Sequence, residues 1–126
     1  MRKQLFSYSK PYDHEGSNER FLKAVKHSME FHNTHCSSYR TILSHYGCSV
    51  DQINTINDLS KIPPIPTAYL KNHEMLSVNK RKLFLKSTSS GTTGKPVEVG
   101  FDKGAVFYGG WMIWQFYWKW KRKVFL

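Results

Sequence analysis

The stretch Ser87-Thr88-Ser89-Ser90-Gly91-Thr92-Thr93-Gly94-Lys95-Pro96 holds the residue types and spacing that could do chemistry. Hydroxyls donate and accept hydrogen bonds, Gly91 and Gly94 remove Cβ atoms that would keep a ligand from the backbone N–H groups, and Lys95 adds positive charge. These are the ingredients of a phosphate-binding loop. Lys82-Leu83-Phe84-Leu85-Lys86 before it and Val97-Glu98-Val99 after it read as strands, which predicts a strand–loop–strand unit with Gly91 or Gly94 at positive φ. It is not a Walker A loop. Ser89 stands where the first glycine of that motif belongs, and Pro96 takes the place of its Ser or Thr and keeps Lys95 extended. Composition leaves a second reading open, a solvated hairpin tip, because Ser/Thr/Gly clusters commonly form loops.

The order of residues is more specific than their composition. Ser89 to Pro96 resembles the phosphate-loop signature of the acyl-adenylate-forming superfamily, Thr-Ser-Gly-Thr-Thr-Gly-x-Pro-Lys. Two branches are similar, the phenylacetate–CoA ligases and the acyl-protein synthetases of bacterial luminescence (long-chain-fatty-acid luciferin-component ligases). Tyr39, the run Asp58-Leu59-x-x-Ile62-Pro63-x-Ile65-Pro66-Thr67, and Tyr69-Leu70-Lys71 resemble the second branch, and the resemblance spans residues 18–108. In one departure, Val97 occupies the position of the family's lysine after the proline, leaving Lys95 as the basic residue of the loop.

The resemblance implies an α/β fold, the N-terminal part of an adenylate-forming domain: helices, then a strand–phosphate loop–strand unit, then an apolar helix. It implies ATP-dependent activation of a long-chain fatty acid as acyl-adenylate, then transfer to a protein thiol. Ser89, Ser90, Gly91, Thr92, Thr93, Gly94 and Lys95 would hold the leaving pyrophosphate, and Mg2+ would accompany the ATP. The implied partners are ATP, fatty acid and the reductase subunits of a fatty acid reductase complex. The family's acyl-accepting cysteine lies far towards the C-terminus, so neither Cys36 nor Cys48 inherits that role. The family also continues well past its phosphate loop. Residues 18–126 are therefore expected to be a partial domain, inactive by itself.

Composition sets the frame for these elements. A chain of 126 residues with 40% hydrophobic and 15% aromatic content suits one small domain with a core, or a piece of a larger one. Residues 1–79 carry nine Lys/Arg against seven Asp/Glu, and residues 80–126 carry ten against two. That basic second half suits a polyphosphate ligand, and equally a nucleic acid or an anionic membrane surface. A non-enzymatic basic module, using Lys80-Arg81-Lys82 and the tail, is the rival class. It explains the charge but not the ordered loop, and no nucleic-acid partner is expected. Met1-Arg2-Lys3 is basic without an apolar run behind it, so the expected location is the cytoplasm, with both thiols reduced.

Residues 1–17 lack periodicity and read as an irregular arm. Phe21, Leu22, Val25 and Met29 then keep helical spacing, with Asn18 as the expected N-cap. A second helix is expected over Tyr39, Ile42, Leu43 and Tyr46, ending at Gly47. His27, His32, His35, Cys36 and His45 fit no zinc spacing, so no metal site is expected among them. Ile53, Ile56, Leu59 and Ile62 lead into the extended run Ile62-Pro63-Pro64-Ile65-Pro66. The isoleucines favour a segment laid across a core over a polyproline ligand. Thr67 is placed to cap a short helix reaching Met75.

Asp102 is placed to cap a helix from Ala105 to Trp118 that is apolar nearly all round and then turns basic at Lys119, Lys121, Arg122 and Lys123. Its apolar stretch falls short of a bilayer span. It reads first as a helix covered by further elements of a larger domain, and second as an interfacial anchor on anionic lipid.

Overall fold

The computed structural model describes residues 13–89 and 95–124. Helix α1 runs His14–His35. It begins at Asp13 rather than at Asn18, because the Asp13 carboxylate accepts the Gly16 N–H at 2.8 Å and satisfies a donor that the first turn leaves unpaired. Residues 14–17, expected in the irregular arm, are therefore helical. The rest of that arm lies outside the described residues.

Cys36 is extended (φ −124, ψ 106), and the chain turns there into α2, Ser37–His45. Arg40 fastens the two helices, since its guanidinium donates to the carbonyls of Asn33 and Thr34, both at 2.9 Å. Those are acceptors that the last turn of α1 cannot pair. Helix α2 ends as Gly47 predicts, with φ +60 and the Cys48 N–H reaching back to the Leu43 carbonyl at 2.9 Å. This left-handed cap is where a glycine avoids the Cβ penalty.

Met29 of α1, Leu43 of α2, Cys48 and Ile53 form the buried cluster, and Leu22, Val25, Tyr39, Leu59 and Ile62 pack against it. Two 3-10 turns, Val50–Gln52 and Ile56–Lys61, carry the isoleucines across that face. The Asp58 carboxylate holds the second turn. It accepts the N–H groups of Asn54 and Thr55 and the Thr55 hydroxyl at 2.7 to 3.0 Å, and pairs with Lys61 at 2.6 Å. Cys36 and Cys48 are buried free thiols.

Past the extended Ile62–Pro66 run, α3 spans Thr67–Asn72. Thr67 is its first residue and Pro66 its cap, and it stops before Met75. Asn72 and His73 bring it to an end. The Asn72 amide donates to the Ala68 carbonyl at 3.2 Å and the His73 ring bonds the Tyr69 carbonyl at 3.1 Å, while His73 is itself extended.

Strands β1 (Leu83–Thr88) and β2 (Glu98–Asp102) pair antiparallel, from Thr88 opposite Glu98 to Leu83 opposite Asp102, with an irregularity between Leu83 and Leu85. The mixed fold, helices first and then a strand–loop–strand unit, follows the expected order. Helix α4, Lys103–Val124, leaves β2 directly. Asp102 caps it as expected, its carboxylate accepting the Ala105 N–H at 2.6 Å. The base of α4 touches both strands. Further along, Gly110, Trp111, Met112, Ile113 and Trp114 are all exposed, more than one full helical turn, so no face of α4 is covered there. All four tryptophans of the chain lie on this helix. Among the described residues no helix is long and apolar enough to cross a membrane.

Candidate functional site

The hairpin closes at its neck through one serine. The Ser89 N–H donates to the Val97 carbonyl at 3.0 Å, and the Val97 N–H donates back to the Ser89 hydroxyl at 2.9 Å. The pair ties both ends of the loop, so the Ser89 oxygen holds loop geometry. Val97 acts here through its backbone. Lys95 follows the loop tip and is exposed. Of the residues expected to bind phosphate, Ser89 and Lys95 are thus placed at the two ends of one loop. Ser90, Gly91, Thr92, Thr93 and Gly94, and with them the expected positive φ, lie outside the described residues.

Beside this neck runs a groove of about 780 Å³, bounded by the end of α1, the segment from Leu70 to Lys80, and strand β2. A contact of 2.6 Å between the His32 ring and the Ser77 hydroxyl ties the α1 wall to the Leu70–Lys80 wall. Lys71, Lys86 and Lys95 line the groove together with Glu98. Two further carboxylates there are engaged: Glu74 pairs with Lys80 at 2.7 Å, and Asp102 caps α4.

Gly100 lies against the apolar wall. A Cβ on it would stand 2.8 Å from Leu83 Cδ2 and 3.4 Å from Leu76 Cδ2. Lys86 and Gly100 face each other across the two strands. Sequence reasoning did not assemble Lys86, Glu98, Gly100 and Leu76 into one site, because the strand register and the path from Leu70 to Lys80 bring them together. The alternation of β1 against β2 was the usable signal for Lys86 and Gly100.

Of the upstream residues that carry the resemblance, Leu70 and Lys71 line the groove, and Tyr39 and Asp58 serve the frame. Lys61, with the Asn54 and Thr55 donors, holds the Asp58 carboxyl well below the usual carboxylate range. Burial, followed by nearby Cys48, pushes the Tyr39 phenol up. Among the described residues no three His, Cys, Asp or Glu side chains converge to hold a metal.

The family model described as acyl-protein synthetase, LuxE, matches residues 4–107, running from before α1 through the hairpin and into α4. The chain belongs to the LuxE acyl-protein synthetase family. A long-chain-fatty-acid–luciferin-component ligase of Photorhabdus luminescens is 32% identical over 82 residues, which cover 64% of this chain and 66% of that protein. The chain therefore spans just under two thirds of that relative's length. In this LuxE-family chain, the residues of the resemblance fall on a loop tied by Ser89 and Val97, on the groove wall at Leu70 and Lys71, and on a helical frame centred on Ile53.

Proposed function

We propose that this chain supplies the pyrophosphate-holding side of a ligase that activates a long-chain fatty acid with ATP. One carboxylate oxygen of the fatty acid attacks the α-phosphorus. The bond to the β-phosphate oxygen breaks and its electron pair leaves on pyrophosphate, giving acyl-adenylate. A protein thiolate then attacks the acyl carbon, and AMP leaves with the bonding pair. The observation that carries this reading is the hairpin neck, with Ser89 and Val97 clamping a Ser/Thr/Gly loop that ends in Lys95.

Loop N–H groups and hydroxyls would hold the β- and γ-phosphates, and Lys95 would offset the charge that grows on pyrophosphate. The clamp contributes preorganisation, because a loop fixed at both ends loses less entropy when it closes on an anion. Mg2+ usually binds phosphate oxygens and one or two carboxylates. The ion would accompany the nucleotide, bound to its phosphate oxygens.

The test is protection of Lys95 from an amine-directed acylating reagent. ATP and pyrophosphate should slow modification of Lys95 and leave Lys23, exposed on α1 and paired with Glu19, unchanged. Equal modification of both lysines with and without the anions would remove the reading. Salt-sensitive binding of single-stranded nucleic acid, indifferent to ATP, would replace it with the basic-module class.

A further inference from the structure

We propose that α4 docks a second copy of this chain, the two helices packing antiparallel along a stripe of aromatic rings. Phe107, Trp111, Trp114 and Trp118 follow one another at intervals of four, three and four residues. That spacing keeps one seam of a helix against a partner helix. The rings already form a ladder within one copy, with centroids 5.4 Å apart for Trp111 and Trp114 and 6.0 Å apart for Trp114 and Trp118. A surface arranged before contact loses less entropy on binding. The stripe also runs clear of the hairpin. Where the base of α4 meets the strands, Ala105, Tyr108 and Gly109 are half-buried, yet Phe107 stays 65% exposed.

Symmetry and charge select the occupant. The intervals read the same in both directions about the step from Met112 to Ile113. Turning a second copy end for end therefore sets Phe107 against Trp118 and Trp111 against Trp114, each contact occurring twice, as an isologous interface requires. Gly110 and Tyr117 flank the seam in the same register, the bulky residue of one copy beside the small residue of the other. A Cβ on Gly110 would meet nothing within 4 Å in its own chain, so nothing inside one copy demands a glycine there. A parallel pair would bring the two sets of Lys119, Lys121, Arg122 and Lys123 side by side. The antiparallel pair moves each set to the base of the other helix, where Glu98 and Asp102 stand with Lys103, and opposes the helix dipoles. Four rings of about 150–250 Å² each, roughly half exposed, offer with the flanking tyrosine roughly 500 Å² per copy. The pair buries about 1,000 Å² in total, the low end for a specific interface, so the dimer is reversible. Met112, Ile113 and Phe116 fall on other faces of the helix and remain outside it.

The experiment is sedimentation equilibrium of the 126-residue chain, without lipid, over a roughly hundredfold range of concentration. The average mass should rise from one copy towards two and level there, with tryptophan emission moving to the blue over the same range. Trp111→Gln should weaken the dimer by roughly tenfold or more, because both copies lose a seam ring. Ile113→Gln, off the seam, should weaken it by about twofold or less. Far-UV circular dichroism checks that both variants keep their helices. Orientation is read by mixing Phe107→Cys with Trp118→Cys under mild oxidation. A disulfide should link one variant to the other and form within neither alone, because like positions then lie eleven residues apart, about 16 Å along the helix. Cys36 and Cys48 are buried, so the unsubstituted chain is the unlinked control.

A constant mass of one copy, growth past the dimer without limit, equal weakening by the two glutamine variants, or links within either cysteine variant alone would each overturn the proposal. So would emission that turns blue only on anionic vesicles and at any protein concentration, which would give the stripe to lipid.

Discussion

Two isoleucines offer a matched test of where this fold derives its stability. Ile53 is fully buried, whereas Ile113 on α4 is 67% exposed. Ile53→Ala removes three carbons at about 0.8 kcal/mol each, or about 2.4 kcal/mol of transfer. The cavity left behind raises the total to about 3 to 4 kcal/mol. Ile53 ends a 3-10 turn, so no helix propensity offsets the loss. At Ile113 the same bookkeeping on the one-third buried fraction gives about 0.8 kcal/mol. Alanine returns about 0.4 of this through its helix propensity. The net cost, about 0.4 kcal/mol, falls within the scatter of surface substitutions.

The assay is urea unfolding followed by far-UV circular dichroism, at two protein concentrations. Ile53→Ala should lower the midpoint sharply with an unchanged slope, and Ile113→Ala should barely move it. Equal losses from the two variants would refute the reasoning, because α4 would then be as well covered in solution as the core.

Asp58 sets an acid limb. Its folded-state pKa is depressed, so the stability it contributes is full above the ordinary carboxylate value and is lost as pH falls below about 4. Asp58→Asn should lower the melting temperature at neutral pH and flatten its decline between about pH 4 and 2. A parallel decline would remove this assignment. Gly47→Ala, forced to φ +60, should cost about 1 to 2 kcal/mol in thermal unfolding, and Gly47→Asn less. Deleting residues 105–126 should raise solubility in sedimentation more than it lowers stability, since exposed Trp111, Ile113, Phe116 and Tyr117 go with it. Anionic vesicles should pull down the full chain and not the shortened one. A monomeric full chain that ignores vesicles would contradict this.

Features that depend on local chemistry were legible in the sequence. The helical spacing of Leu22, Val25 and Met29, the left-handed turn at Gly47 and the cap at Asp102 each rest on a few neighbouring residues. Local choices between equivalents were less so. Asn18 and Asp13 can both cap a helix, and Asp13 does because its carboxylate meets the Gly16 N–H. The loop was read from residue order, but the pair of hydrogen bonds between Ser89 and Val97 depends on strand register. The groove was illegible. Phe31, Leu76 and Val99 become neighbours only when the contact between His32 and Ser77 joins distant segments.

The placement of every tryptophan on α4 has an optical consequence. Indole emission from this chain reports the environment of one helix and is silent about Met29, Leu43 and Ile53. In the free chain Trp111, Trp114 and Trp118 face solvent, so their emission should lie to the red. Anything that settles on α4 should shift it to the blue while the core signal stays still. Far-UV circular dichroism, to which α1 and α2 also contribute, is the complementary signal for the rest of the fold. A denaturation curve read from tryptophan and one read from circular dichroism would thus weight different parts of the molecule. Any gap between them would measure how loosely the helix is coupled to the core.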